Sequence, residues 1–326
     1  MNILPEVGVV IVNWNGWKRT ISCLESLLQI EYPSYQIILV DNDSTDGSIK
    51  KIVEWMKDRK EKKDSITILN EEEIASTHSS DKFILIKNRY DYGFGGGANR
   101  GIQYALNRDH GFVYLLSNDY SFAPNALSEL VQAALSEKKI GMAGSKVYAK
   151  NFQDQILWFA GSTHNQWTGN TAHRGIREKD IGQYNTPEQV TFLPGSSLLI
   201  RSDTIRDIGF MDERYFLYYE DVEWCIRAKR KGWKVYYIPA SEVYHNIHDT
   251  INLPQRYYLI RNKFLLTRDY FPWTLPVVIL FFLRYESLNR LYRKEWQIFF
   301  YHWNGFFDFL RGKFGEKGKK YSQKSK

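Results

Sequence analysis

Two cysteines in 326 residues, Cys23 and Cys225, cannot build a disulfide framework. Neither belongs to a Cys-x-x-Cys pair, so a thiolate metal cluster is excluded as well. Long apolar runs are also missing. The longest, residues 271–283, is interrupted by Pro272, Thr274 and Pro276. It falls short of the roughly 17–25 apolar residues that a spanning helix needs. The first residues, MNILPEV, put no basic segment ahead of an apolar stretch, so no signal peptide is expected. Together these absences point to a reducing, cytosolic compartment.

Nothing in the composition suggests disorder: 43% of residues are hydrophobic and 25% charged. The length suits one large domain or two modest ones, with ample chain to bury a core. Aromatic residues, at 16%, are abundant, and the net charge is +7. That charge is uneven. Residues 251–326 hold 15 Lys/Arg against 5 Asp/Glu, whereas the first 250 hold 29 against 32. The basic surplus therefore belongs to the tail, and a general nucleic-acid coat is excluded.

Short β-branched runs at 7–12 and 37–40 are of the kind buried in a parallel sheet. Helical spacing fills residues 17–28 between them. The alternation continues with a helix at 48–59, strands at 66–69 and 83–86, a helix at 98–107 and a strand at 112–116. Such βαβ units predict an α/β doubly wound sheet. A helix opening at Pro124, strands at 140–148 and 190–200, and helices at 202–208 and 220–231 follow. Residues 151–187 read as an active-site flap or a small hairpin insertion.

Ligands of open α/β sheets sit beyond the carboxyl ends of the strands. Four such ends are polar: Asn13-Trp14-Asn15-Gly16, the 41–47 stretch DNDSTDG, Asn88 followed by the 93–101 stretch GFGGGANRG, and Ser117-Asn118-Asp119. Each alone has a structural reading. The 41–47 stretch reads as a turn and N-cap. The glycines at 95–97 read either as tight packing or as backbone approaching a phosphate. Four such stretches at successive strand ends are harder to explain as turns.

These stretches, taken in order, resemble the inverting glycosyltransferases of family 2, which have the GT-A fold. The resemblance rests on VIVNWNG (10–16), VDNDSTDGS (40–48), GGGANRG (95–101) and LSND (116–119). It continues through FLPGSS (192–197), GFMDE (209–213), FLYYEDVEWCIR (216–227) and VYH (243–245), covering about residues 7–250. Within the family the chain is most similar to bacterial rhamnosyltransferases of surface-polysaccharide assembly, partly through WFAGS (158–162) and TAHRG (171–175).

The resemblance implies a nucleotide-diphosphate sugar donor, with dTDP-rhamnose foremost and a UDP- or GDP-sugar as the alternative. It assigns donor binding to Asn13, Asp41, Asn88, Gly96, Asn99, Asn118 and Ser196. A divalent cation, Mg²⁺ or Mn²⁺, would neutralise the diphosphate. The family's Asp-x-Asp element falls on Ser117-Asn118-Asp119, so one carboxylate is missing and metal binding rests on Asp119 and His245. Imidazole in the shell favours Mn²⁺. Inversion is a single displacement that needs one general base. Asp221, with Glu220 beside it near the acceptor, fits that position, although carboxylates also suit a helix N-terminus for dipole reasons alone. Glu223 and Arg227 stand at i,i+4 and could be only a surface pair. A catalytically silent nucleotide-sugar-binding module is the rival reading, favoured by Ser117.

The division expected is a GT-A domain over 1–250 and a helical, amphipathic extension over 251–326. In the extension, aromatic residues alternate with Arg and Lys, as in helices lying at a membrane interface. The expected partners are a saccharide or lipid-linked acceptor and the inner membrane face, with no nucleic acid. The structural reading is that these aromatics complete the catalytic domain's core or a dimer contact.

Overall fold

The β-branched run at the start of the chain forms strand β1 (Val7–Asn13), with Val7, Val9, Val10 and Ile11 fully buried. The computed structural model describes residues 4–58, 65–150, 152, 155–247 and 252–317. After β1 come α1 (Trp17–Leu27), β2 (Tyr35–Asp41), α2 (Ser48–Asp58), β3 (Ile66–Asn70), β4 (Phe83–Lys87), α3 (Gly93–Asn107) and β5 (Phe112–Ser117). The middle of the chain adds β6 (Tyr120–Phe122), α4 (Ala126–Ser136), β7 (Ile140–Ala149), β8 (Leu157–Phe159), β9 (Ser162–His164), β10 (Thr171–His173) and β11 (Glu188–Gln189). Then follow β12 (Ser197–Arg201), α5 (Ser202–Ile208), α6 (Glu220–Arg230), β13 (Lys234–His245), α7 (Leu253–Tyr270), α8 (Leu275–Phe281), α9 (Leu288–Tyr292) and α10 (Trp296–Leu310).

One mixed sheet organises these elements, in the order β3-β4-β2-β1-β5-β12-β7-β13-β11, with β6 on β13 and β8 on β7. Strands β3, β4, β2, β1 and β5 are parallel, as the βαβ pattern predicts. Strand β12 runs antiparallel to both β5 and β7, while β13 runs parallel to β7. From β1 the chain first builds outward through β2, then returns to lay β5 on the other flank of β1. That reversal opens a crevice at the carboxyl ends of β1 and β5. Helix α3 lies close on β1: a Cβ at Gly101 would meet Val10 Cγ1 at 2.5 Å.

Two expectations change, and one strand is new. Helix α3 begins at Gly93, so the glycines at 95–97 lie inside its first turns, not in a loop before it. Residues 190–196 are not strand; β12 starts only at Ser197, after Pro194 and Gly195 break the apolar run. The twelve-residue β13, kinked by bulges, is not anticipated at all. Residues 151–187 contain the β9–β10 hairpin.

Helix α7 starts at a capping box: the Asn252 side chain accepts from Gln255 N (3.0 Å), and Gln255 Oε1 accepts from Asn252 N (2.9 Å). Phe264 on α7 meets the rings of Phe282, Phe306 and Phe309 at 5.0–5.4 Å, and these inner aromatics of 252–317 are continuous with the hydrophobic core of the sheet. The outer ones, among them Trp273, Tyr285, Tyr292, Trp296 and Phe300, are exposed. Among the described residues no helix is long and apolar enough to cross a membrane. The expected boundary at 250 lies outside the described residues, as does the lysine-rich end from 318 onward.

Candidate active site

The crevice between β1 and β5 is lined by a net of short polar side chains. Asn13, fully buried at the end of β1, donates from Nδ2 to Asp41 Oδ1 (2.6 Å) and to Ser44 Oγ (3.1 Å). Its Oδ1 accepts from Thr20 Oγ1 (2.7 Å) and Asn118 Nδ2 (3.4 Å). Asp41 Oδ2 closes the following turn by accepting from Ser44 N at 3.0 Å. Asn118 also donates to Thr20 Oγ1 at 2.8 Å. Asn13, Asp41 and Asn118 are thus one connected unit across three strand ends.

Asn88 joins through a residue with no expected role. Its Nδ2 donates to Asn42 Oδ1 (2.7 Å), and Asn42 Nδ2 donates to Gly93 O (2.8 Å) and Asp91 Oδ1 (3.1 Å). The Asn88 Oδ1 atom is buried without a protein partner. Gly96 and Asn99 belong to another cluster. Asn99 exchanges hydrogen bonds with the Met211 backbone (2.9 and 3.0 Å) and donates to Glu213 Oε1 (3.2 Å). A Cβ at Gly96 would meet Tyr92 Cβ at 2.7 Å. The structure therefore packs these two against 211–213 and does not join them to the Asn13 net.

Beyond β5, Asp119 and His245 meet: Asp119 Oδ2 and His245 Nε2 are 3.2 Å apart. Strand β13 delivers the histidine, pairing His245 with Tyr120 of β6, and the two rings stack at 4.6 Å. Burial pushes the Asp119 carboxyl up, but the hydrogen bond and charge of His245 and the Ser117 hydroxyl outweigh it and leave the group below the usual range. Asp119 Oδ1 and His245 Nδ1 are buried without protein partners. A carboxylate oxygen and an imidazole with unspent lone pairs suit a borderline-hard divalent cation such as Mn²⁺. Among the described residues no group of three His, Cys, Asp or Glu side chains could complete such a site, so phosphate oxygens and water would have to supply the remaining ligands.

The second acidic centre lies at the start of α6, where Glu220, Asp221 and Glu223 occupy the first turn and Arg227, Lys229 and Arg230 the last. Asp221 Oδ2 accepts from Gly195 N (3.0 Å) and Oδ1 from Val222 N (2.8 Å). Burial raises its carboxyl, and the N–H donors restrain the rise. Glu220 is buried, its Oε2 without a partner. Burial, then the Asp221 charge, push it up to about 8. Ser196 shares a hydrogen bond with the Tyr120 hydroxyl (2.9 Å), connecting the Asp221 side to the strand that faces His245.

Tyr218, one residue before the cap of α6, was not foreseen. Its hydroxyl is pushed up to about 12 by burial and by the charges of Glu220, Asp119 and Asp221, so both acidic centres act on one hydroxyl. Glu223 and Arg227 are no surface pair. Glu223 is buried, and Arg227 donates to it at 2.7 and 2.9 Å as well as to the Ile208 and Phe210 carbonyls.

A sequence model described as "Glycosyltransferase like family 2" matches residues 5–256. The N-acetylglucosaminyl-diphospho-decaprenol L-rhamnosyltransferase of Mycobacterium tuberculosis is 26% identical over 305 residues, covering 85% of this chain and 88% of that one. The dTDP-rhamnosyl transferase RfbF of Shigella flexneri is 34% identical over 111 residues, covering 30% of this chain and 38% of its own. Among solved structures, the mannosyltransferase PcManGT from Pyrobaculum calidifontis, in complex with GDP-Man and Mn²⁺, superposes with a TM-score of 0.58 at 12% identity. That match covers 96% of this chain and 89% of the other, and shows a shared fold.

Proposed function

The chain belongs to glycosyltransferase like family 2 and has the GT-A fold, and from that membership we propose an inverting transfer of rhamnose from dTDP-rhamnose to a saccharide or lipid-linked saccharide acceptor. The observation that carries the mechanism is the half-buried Asp221 carboxylate, held by the N–H groups of Gly195 and Val222 beside Ser196. Asp221 takes the proton of the acceptor hydroxyl as its oxygen bonds to the anomeric carbon. The bond from that carbon to the diphosphate breaks on the opposite face, and the nucleoside diphosphate leaves. Glu220, raised by burial, stays protonated at neutral pH and offers the acceptor a hydrogen-bond donor.

Asn13, Asp41, Asn88 and Asn118 hold the nucleoside end, and Ser196 lines the sugar pocket. Asn99 and Gly96 contribute to the donor site by bracing the strand-end loops from the 211–213 side. A divalent cation, when bound by Asp119 and His245, supplies positive charge against the diphosphate. The rhamnosyl choice draws on the names of the two relatives, both rhamnosyl transferases.

Residues 1–250 form the transferase domain in this reading and 251–326 a helical extension that docks on a membrane surface. Support comes from the exposed Trp273 and from the exposed Tyr292, Trp296 and Phe300, which lie close in sequence to Arg290, Arg293 and Lys294. A silent sugar-binding module remains the second reading, because Ser117 stands where the family resemblance puts a carboxylate. A panel of dTDP-rhamnose, UDP- and GDP-sugars with Mg²⁺ or Mn²⁺ separates these readings. Transfer or slow hydrolysis of dTDP-rhamnose alone supports the proposal, turnover of another donor changes the sugar, and binding without turnover of any donor supports the silent module.

A further inference from the structure

The segment that leads into Glu220 runs through backbone conformations that L-residues rarely adopt. Phe216, Tyr218 and Tyr219 have φ of 63°, 67° and 72°, and none of them is glycine. Such a stretch persists only when its surroundings over-determine it. On one side Phe216 O accepts from Phe94 N at 2.9 Å, an approach so close that a Cβ at Gly93 would lie 2.0 Å from that oxygen. Tyr219, which caps α6, donates its hydroxyl to Gly169 O at 3.0 Å.

On the other side two adjacent residues of α7 do most of the holding. Asn262 Nδ2 lies 2.8 Å from Tyr215 O, 2.8 Å from Leu217 O and 2.7 Å from Tyr218 O, sharing two hydrogens among three carbonyls. Its Oδ1 accepts from Arg261 Nε at 3.0 Å, which fixes the orientation of the amide. Arg261 Nη2 donates to Tyr215 O (2.8 Å) and Arg214 O (3.1 Å), and Nη1 donates to Gly315 O (2.6 Å). Both side chains are fully buried. A buried guanidinium whose hydrogen bonds go to carbonyl and amide oxygens is an expensive way to fill space. What it and the asparagine do is fix carbonyl directions along 214–218.

We propose that Asn262 and Arg261 are positioning residues for the transfer reaction: they lock the 214–219 segment, with its left-handed Phe216, Tyr218 and Tyr219, in the path that aims Glu220 and Asp221 at the acceptor. The proposal rests on the reading of Asp221 as the base. It makes α7 part of the catalytic apparatus, although α7 lies beyond the motifs that carry the family resemblance. A shift of about 1 Å in a reacting group is enough to cost roughly 100-fold in rate.

The test uses the full chain and the variants Asn262→Ala, Arg261→Lys and Asp221→Asn. Turnover of dTDP-rhamnose, its KM, the kcat–pH profile, calorimetric binding of dTDP and thermal melting are measured for each. Asn262→Ala is expected to bind dTDP within about twofold of wild type while kcat falls roughly 100-fold and the pH limb of the Glu220–Asp221 pair shifts. Arg261→Lys, which keeps the charge but loses the fork, is expected to fall about tenfold in the same manner, and it carries the test if the alanine variant does not fold. A folded variant with unchanged kcat and unchanged pH limb, beside an inactive Asp221→Asn, overturns the positioning role. So does a loss of kcat matched by an equal loss of dTDP binding, which marks general damage. Near-normal turnover by Asp221→Asn instead overturns the base assignment, and the positioning role with it.

Discussion

The backbone N–H of Gly195 donates to Oδ2 of Asp221 at 3.0 Å, tying the loop before β12 to the first turn of α6. The next residue, Ser196, is bonded to the buried Tyr120 hydroxyl, and Tyr120 stacks on His245. A single path of contacts thus runs from the proposed base to the proposed metal ligand. Ser196→Ala breaks it and leaves the Tyr120 hydroxyl without that partner. We expect a stability loss of about 1–2 kcal/mol in urea unfolding, together with a raised donor KM. Unchanged KM would remove Ser196 from the sugar pocket.

Asp119→Ala removes the carboxylate that faces His245 at 3.2 Å. An imidazole alone is a poor site for a hard cation. Calorimetry with dTDP should therefore show metal-enhanced binding in the wild type, abolished by EDTA, and no enhancement in the variant. Activity that survives both EDTA and the substitution would contradict the metal role of Asp119.

Glu220 gives stability a pH dependence of definite sign. Its carboxyl is near 4.5 by ordinary chemistry and is pushed up to about 8 in the fold by burial and by Asp221. Between those values the native state holds a proton that the unfolded chain releases, so this contribution is full below 4.5 and is lost as pH rises through 8. The half-buried His164 and His173 and the buried His302, lowered to about 4 chiefly by desolvation, act in the opposite sense and only below about 6.5. From pH 6.5 to 8.5 the melting temperature of Glu220→Gln should therefore gain on wild type by roughly 2 °C or more. Parallel melting curves would show that Glu220 ionises normally in the fold.

The membrane reading is tested with point variants, because removing 251–326 would strip away the α7 side chains that hold 214–218. The triple change Tyr292→Ser, Trp296→Ser, Phe300→Ser alters only exposed rings. Sedimentation with anionic vesicles should fall by at least about tenfold relative to wild type. Raised salt should weaken wild-type binding as the cations are screened. Equal sedimentation by both proteins would show that this face does not dock.

Much of the fold was legible because it obeys local rules: β-branched runs gave the parallel strands, and helical spacing gave α1, α2, α5 and α6. What failed to show was set by distant partners. Gly93 begins α3 because Phe216 O presses on it, a contact 123 positions away that no local pattern encodes. Strand β13 mixes Lys, Tyr, Pro, Ser and Glu and pairs through bulges, so it lacks a clean alternation. At the site, Asn13, Asp41, Asn118, Asp119 and His245 were readable from their places after apolar strands or in the motifs. Asn42, Tyr218, Arg261 and Asn262 were not, since their work is to hold backbone or sense charge across the fold.

The most direct test of the account is single-turnover transfer by Asp221→Asn, measured beside dTDP binding. An isosteric amide keeps the shape of the site but cannot take the acceptor proton. The account predicts a rate lower by roughly 10²–10⁴-fold with dTDP binding within about twofold of wild type. A variant that transfers at near wild-type rate would contradict it.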